Sequence, residues 1–302
     1  MNNKLHPHQK EELADLAVVA MRERGLEPEF PKPAIEQLKT IDGPSAEDGA
    51  GIVDMTGLLW CSIDNDDSRD LDQLTASEVL PDGSVRILVA IADVDTLVEK
   101  ETPIDRHAQI NTTSVYTSAR IFPMLPEKLS TDFTSLNPHE ERVATVTEMV
   151  FAPDGEMLRS HITRARVHNK AKLAYDAVAA WIDGNGPLPE AADRVPGMDE
   201  QIRTQDSVAQ QLRARRREHG SLEFETFQPR AEFQGDQVVA IKQQVQNRAR
   251  QLIEEFMVAT NGVTARFLAG TKRASIRHVV KSPERWARIA EVAAERGWPL
   301  PA

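Results

Sequence analysis

Asp64, Asp66, Asp67, Asp70 and Asp72 fall within nine consecutive positions, and Arg69 is the only cation among them. Carboxylates packed this densely repel, and without a nearby cation some are driven toward their protonated form. The fold must leave the segment in solvent or bring in a counter-charge. A divalent ion such as Mg²⁺ resolves the repulsion with hard oxygen ligands and keeps positions for water and a substrate phosphate. An exposed acidic loop is the plainer alternative. A calcium loop of the EF-hand type does not fit. Counted from Asp64, Asp66 meets the third position, but Arg69 replaces the required glycine and Thr75 the required glutamate. The largely apolar run Leu58–Ile63 leads into the acids, which favours a site at a strand end. If the chain is extended there, Asp70 and Asp72 share a face, and Asp64 reaches them only if the chain loops round.

Around this segment the chain reads as α+β. Residues 9–24 carry Leu13, Leu16, Ala17, Ala20 and Met21 at helical spacing, with Gly25 as a stop. A Pro-containing link over 27–33 leads to a second short helix over 34–40. The pair fits either a helix-turn-helix-like module or a helical cap on the main domain. Small and polar residues over 41–51 read as a linker, dividing the chain into a helical module at 1–50 and a larger domain at 51–302. Strands are expected over 85–92, 143–151 and 161–167, with turns at Pro81-Asp82-Gly83 and Pro153-Asp154-Gly155. Helices are expected over 171–183, 200–219 and 247–268, and short strands over 222–227 and 238–243.

Composition narrows the setting. The net charge of −11 argues against a general nucleic-acid binder, although a local basic groove remains compatible with it. One cysteine, Cys61, excludes an intrachain disulfide and suits a reducing compartment. No apolar run nears the roughly 20 residues of a membrane span, and the N-terminus lacks a secretory apolar core. The expectation is a cytoplasmic protein without membrane contact, monomeric by default.

The order of residues in the acidic segment resembles the signature of the ribonuclease II (RNB) family of 3′-to-5′ exoribonucleases, in which Ile-Asp is followed by further acids and then Asp-x-Asp-Asp. Asp64, Asp70 and Asp72 fall on its first three aspartates. Similar segments follow in the family's order: Val89–Val94, Ser114-Val115-Tyr116, Phe122–Ser130, Ser135-Leu136-Asn137-Pro138, Asn169–Tyr175, His219–Phe224 and Leu252–Asn261. The resemblance runs from about residue 52 to the end. It implies an RNB catalytic domain, a mixed sheet with surrounding helices, that hydrolyses single-stranded RNA from its 3′ end and releases nucleoside 5′-monophosphates. It implies Mg²⁺, with Mn²⁺ as a substitute, held by Asp64, Asp70 and Asp72. Asp72 and Asp70 take the catalytic positions, with Asp72 nearest the scissile phosphate and Asp70 ordering the site. Tyr116 and Phe224 match positions that stack bases, and Glu254 one that contacts the terminal nucleotide.

Two departures accompany the resemblance. Gln73 stands where the family has a further aspartate, and an amide oxygen offers no charge to a metal. The family's late Ser/Thr-rich motif, with an arginine near the scissile phosphate, and its C-terminal S1 barrel are not found by residue 302. The expectation is therefore a C-terminally incomplete RNB domain. Its alternatives are a catalytically impaired RNA-binding or regulatory relative and an inactive fragment. Three basic groups could line an RNA channel or be solvated faces: Arg164, Arg166, Lys170 and Lys172; Arg213, Arg215, Arg216 and Arg217; Lys272, Arg273, Arg277 and Lys281.

Overall fold

In the run Val85–Ala92, Ile87 and Val89 point to one side, Leu88 and Ala90 to the other, and all four are fully buried. A strand covered on both faces belongs in the middle of a sheet. A computed structural model, which describes residues 9–49, 51–221, 229–243, 246–276, 284–298 and 300, places it there. In chain order the elements are α1 (Gln9–Glu23), α2 (Lys32–Leu38), β1 (Ile52–Asp54), β2 (Cys61–Asp64), β3 (Gln73–Val79), β4 (Val85–Ala92), α3 (Pro103–Asn111), β5 (Val115–Tyr116) and β6 (Ile121–Phe122). They continue with β7 (Glu141–Phe151), β8 (Met157–His168), β9 (Ala171–Ala174), α4 (Tyr175–Ile182), α5 (Glu190–Asp193), α6 (Met198–Glu218), β10 (Pro229–Gln234), β11 (Gln237–Gln243), α7 (Arg248–Gly270) and α8 (Trp286–Glu295). A seven-stranded mixed sheet runs β1-β8-β7-β4-β3-β2-β9. The outer pairs β1–β8 and β2–β9 are parallel, and the inner pairs antiparallel. The expected α+β class is the observed one.

One face of the sheet packs Ile63, Ile87, Val89, Met149, Phe151 and Leu173 against helical residues that include Ile202, Val208, Leu252 and Phe256. The other face sets Leu74, Leu88, Val146 and Val167 among the small Ala76, Ala90, Ala144 and Ala165, with Trp60 and Leu136 in the same layer. The Trp60 indole N–H donates to the Met55 carbonyl at 2.8 Å, so its polar edge is satisfied inside that layer. A third core joins Ala34 of α2 to Ile104 of α3, with Val98, Leu125 and Leu129.

Several expectations change. The segment 171–183 is not one helix. Residues Ala171–Ala174 pair in parallel with β2, and the helix starts at Tyr175, because sheet hydrogen bonding overrides the weak local preference of a four-residue piece. Strand β3 and helix α3 were not anticipated. The polar residues of β3 find partners on α6: the Thr75 hydroxyl donates to Gln205 at 2.8 Å, and the Ser77 amide to Gln201 at 3.0 Å. In α1 only Met21 is buried, and Leu13 and Leu16 lie exposed. Helix α1 rests on β11 while α2 packs on α3, so the two helices go to different neighbours. The strand expected over 222–227 lies outside the described residues.

Candidate active site

Strand β2 ends at Asp64, whose Oδ1 accepts the Asn65 N–H at 2.6 Å and the Ser68 hydroxyl at 3.0 Å. The carboxylate thus turns the chain out of the strand, as an Asx-type turn does. The returning loop is fastened along its length. Lys172 Nζ donates to the carbonyls of Asp66 (3.1 Å) and Ser68 (2.7 Å). The Ser135 hydroxyl donates to the Arg69 carbonyl and accepts the Leu71 N–H, both at 3.0 Å. Leu136 N–H reaches the Leu71 carbonyl at 2.8 Å, and Ala92 N–H the Asp72 carbonyl at 3.0 Å. Buried Asn169 knots these segments: its Nδ2 donates to the Leu136 carbonyl (2.8 Å) and to Ser62 Oγ (3.2 Å), and its Oδ1 accepts Ala171 N–H (3.2 Å).

The fold gathers three of the predicted acids. Burial raises the pKa of Asp64, and the charge of Asp70 adds to the effect, against hydrogen bonds from Asn65 and Ser68 and the nearby Arg250. Burial, then the charges of Asp64 and Asp70, push Asp72 from 3.8 up to about 6, although solvent still reaches this residue. The Tyr116 hydroxyl donates to Asp70. Tyr175, which opens α4, is raised to about 12 by burial and then by the charge of Asp64.

Among the described residues, no group of three or more His, Cys, Asp or Glu side chains is placed to hold a metal ion together. The donor set still suits Mg²⁺, which is usually held by one or two carboxylates and completes its shell with water and substrate phosphate. Mutual repulsion between Asp64 and Asp72 is what such an ion would relieve. Gln73 opens β3 and is buried, while Asp66 and Asp67 lie exposed on the loop.

The raised Asp72 gives a signed expectation. A carboxylate with a raised folded-state pKa favours the fold while protonated, so its contribution is lost as pH rises from about 4 through about 6. A cation bound to the ionised form restores it. Millimolar Mg²⁺ should therefore raise the melting temperature more at about pH 7.5 than at about pH 5. Equal gains at both values would show that the ion binds elsewhere.

The other predicted residues divide. Tyr116 sits on the β5–β6 hairpin, 61% exposed, with its ring available and its hydroxyl on Asp70. Glu254 is exposed on α7 and accepts from Gln246 Nε2 at 3.0 Å. Phe224 lies outside the described residues, as do Arg277 and Lys281. Most of the described residues in the three basic groups are tied into the fold. Arg164 pairs with Asp93 and Glu47, Arg166 with Asp48, Arg215 with Asp154, and Arg216 with Glu255. Arg213 donates to Gln251, Lys170 lies 3.1 Å from His168, and Lys172 serves the acidic loop. Lys272 and Arg273 are exposed. Sequence reasoning missed the roles of Tyr175, Asn65 and Arg250. The Arg250 guanidinium lies over the Tyr175 ring at 4.4 Å and donates to Asn65 Oδ1 at 2.8 Å. The legible signals were Asn65, an amide set among acids, and Tyr175, which closes the similar segment Asn169–Tyr175.

The sequence matches the RNB domain over residues 52–295. The chain belongs to the RNB domain family. The match begins at the first residue of β1 and ends at the last residue of α8, so it takes in the whole sheet and the acidic loop. Ribonuclease R of Escherichia coli strain K12 is 31% identical over 287 residues, covering 94% of this chain and 35% of the relative. Exoribonuclease 2 of Escherichia coli O1:K1 is 29% identical over 221 residues, covering 71% of this chain and 33% of the relative. The chain thus spans about a third of the length of these curated relatives. Mycoplasma genitalium RNase R, solved in complex with ribose-methylated single-stranded RNA, superimposes with a TM-score of 0.83 at 24% identity, over 96% of this chain and 45% of that one. That likeness establishes the RNB fold, a mixed sheet with helices around it.

Proposed function

We propose that this RNB domain is the hydrolytic centre of a Mg²⁺-dependent 3′-to-5′ exoribonuclease that acts on single-stranded RNA and releases nucleoside 5′-monophosphates. The observation that carries the reading is the convergence of Asp64, Asp70 and Asp72 at the end of β2, with the exposed Tyr116 ring anchored on Asp70. Asp64 and Asp72 are the residues that would hold the ion, with Mn²⁺ as a substitute. A bound divalent ion supplies an activated water and neutralises charge on the leaving oxygen. Asp70 fixes the hairpin that carries Tyr116. The Tyr116 ring is a platform for a base near the 3′ end, and stacking of this kind tolerates any base at about 1–3 kcal/mol. Glu254 on α7 contacts the terminal nucleotide, and Phe224 is assigned the second stacking position. The domain division at residues 50 and 51 belongs to the same reading, with the helical module preceding the catalytic unit.

Incubation of 5′-labelled single-stranded RNA with the protein and Mg²⁺ tests this directly. A shortening ladder with mononucleotide release is the expected result, and intact RNA under those conditions would refute the reading. Tyr116→Ala should raise KM by about tenfold through the lost stack, whereas Tyr116→Phe keeps the ring and should stay within about threefold. Equal losses in the two variants would show that the hydroxyl on Asp70, not the ring, matters.

Buried Gln73 favours a second reading, a catalytically impaired relative that binds RNA without cutting it. A missing carboxylate at that place would weaken ion binding. Gln73→Asp separates the two: activity that appears only in the variant identifies the second, and activity already present in the native chain identifies the first.

A further inference from the structure

We propose that residues 27–37, ahead of the RNB match, form a brace that sets the position of the Tyr116 ring. The assignment rests on the reading of Tyr116 as a base platform given above. Strands β5 and β6 pair through Val115 with Phe122 and Tyr116 with Ile121. A two-stranded hairpin of this size does not hold its own shape in water, so its position comes from what it is tied to. On the side of the acids that tie is the Tyr116 hydroxyl on Asp70. On the other side it is α3, which ends at Asn111 shortly before β5 opens at Val115.

Residues 27–37 grip α3 at both ends. At its start, Gln37 Oε1 accepts the Ile104 N–H at 2.9 Å, one of the first-turn amides that a helix leaves without a partner. At its end, the Asn111 side chain pairs with the backbone of Glu27. Its Oδ1 accepts the Glu27 N–H and its Nδ2 donates to the Glu27 carbonyl, both at 2.8 Å. These bonds fix which way the amide points, so Nδ2 also donates to His107 Nε2, 3.1 Å away. His107 Nδ1 then carries the ring hydrogen and donates to Glu27 Oε2 at 3.0 Å. His107 and Asn111 are each 2% exposed, and the Phe30 ring packs on His107 with centroids 4.3 Å apart. The same segment reaches the hairpin directly. Arg120 Nη2 donates to Glu29 Oε1 at 2.9 Å, and its guanidinium lies over the buried Phe122 ring at 4.6 Å. Helix α1 adds a longer route through β10 and β11: Val238 N–H donates to Gln9 Oε1, and Ala231 N–H to Ser118 Oγ, both at 3.0 Å.

A ring that wanders is in place for only part of the time, and its apparent affinity for a base falls by that fraction. Asn111, His107 and Arg120 are therefore positioning residues that act through Tyr116. The rival account is that their contacts stabilise α3 and leave Tyr116 to Asp70 alone. The chain has 2 tyrosines, Tyr116 and Tyr175, so NMR of ring-labelled tyrosine follows each by itself, with Tyr116→Phe giving the assignment. Asn111→Ala should shift or broaden the Tyr116 signal and leave that of Tyr175 in place. Arg120→Glu should move it too, and adding Glu29→Arg should bring it back toward the native position. With a short single-stranded RNA, and no divalent metal so that nothing is cut, Asn111→Ala should weaken binding by about three- to tenfold. In a Tyr116→Ala background the same change should cost less than about twofold. An unmoved Tyr116 signal in folded Asn111→Ala, or equal binding losses in both backgrounds, would overturn the brace. Thermal melting checks each variant. If Asn111→Ala does not fold, the charge swap decides, and a Tyr116 signal that Glu29→Arg does not bring back overturns the brace. If the native chain binds no RNA, the exoribonuclease reading fails by itself, and the tyrosine signals still decide whether residues 27–37 hold the ring.

Discussion

Asp72→Asn should lower RNA hydrolysis by at least about a thousandfold while RNA binding stays within a few-fold of the native protein. The amide keeps the shape of the carboxylate and removes its charge, so the ion loses a ligand at the position proposed nearest the scissile phosphate. The same substitution has a second signature of opposite sign. Asp72 is pushed up to about 6 because its charged form is crowded by protein and by Asp64 and Asp70. Removing that charge relieves the repulsion, so the metal-free variant should melt higher than the native chain at about pH 7.5 and no higher at about pH 4. Loss of activity with a raised metal-free melting temperature separates a charge effect from local unfolding. A variant retaining more than a tenth of native turnover would remove Asp72 from the chemistry.

Asn169→Ala should cost about 3 kcal/mol of stability and lower the melting temperature by roughly 6–10 °C. Asn169 is 1% exposed, and its side chain serves the Leu136 carbonyl, Ser62 Oγ and the Ala171 amide. Truncation leaves the first and last of these buried without their partner, and each such loss costs about 1–3 kcal/mol. The loss is transmitted to the site, because Leu136 in turn holds the Leu71 carbonyl. Asn169→Asp should be worse than alanine, since it places a charge among groups that expect an N–H donor. Differential scanning calorimetry reads both, and a loss under about 1 kcal/mol for alanine would show that the knot carries no load.

The three acids of the proposed site were legible because they occupy one short segment. Their spacing and order survive in a linear reading, and so did the periodic elements β4, β7, α6 and α7. What the sequence hid depends on partners far along the chain. Strand β3 is polar on one side, and Gln201 and Gln205 on α6 are what give Thr75 and Ser77 their partners there. Lys172 looks like a channel cation until its amine is found on the carbonyls of Asp66 and Ser68. Arg250 looks like an ordinary helix residue, and its meaning comes from Asn65, 185 positions away. The same distance effect lies behind the misread segment 171–174, where parallel pairing with β2 sets the conformation.

The acidic loop draws its order from Lys172, Ser135, Leu136 and Ala92. An ion held by Asp64 and Asp72, as proposed, would therefore meet a scaffold already assembled at folding, unlike small metal domains in which coordination and folding are one event. On the proposed function, chelation should act as a clean off-switch that removes the reagent and leaves the apparatus standing, and restoring the ion should return function at the speed of diffusion and ligand exchange, with no refolding step in between.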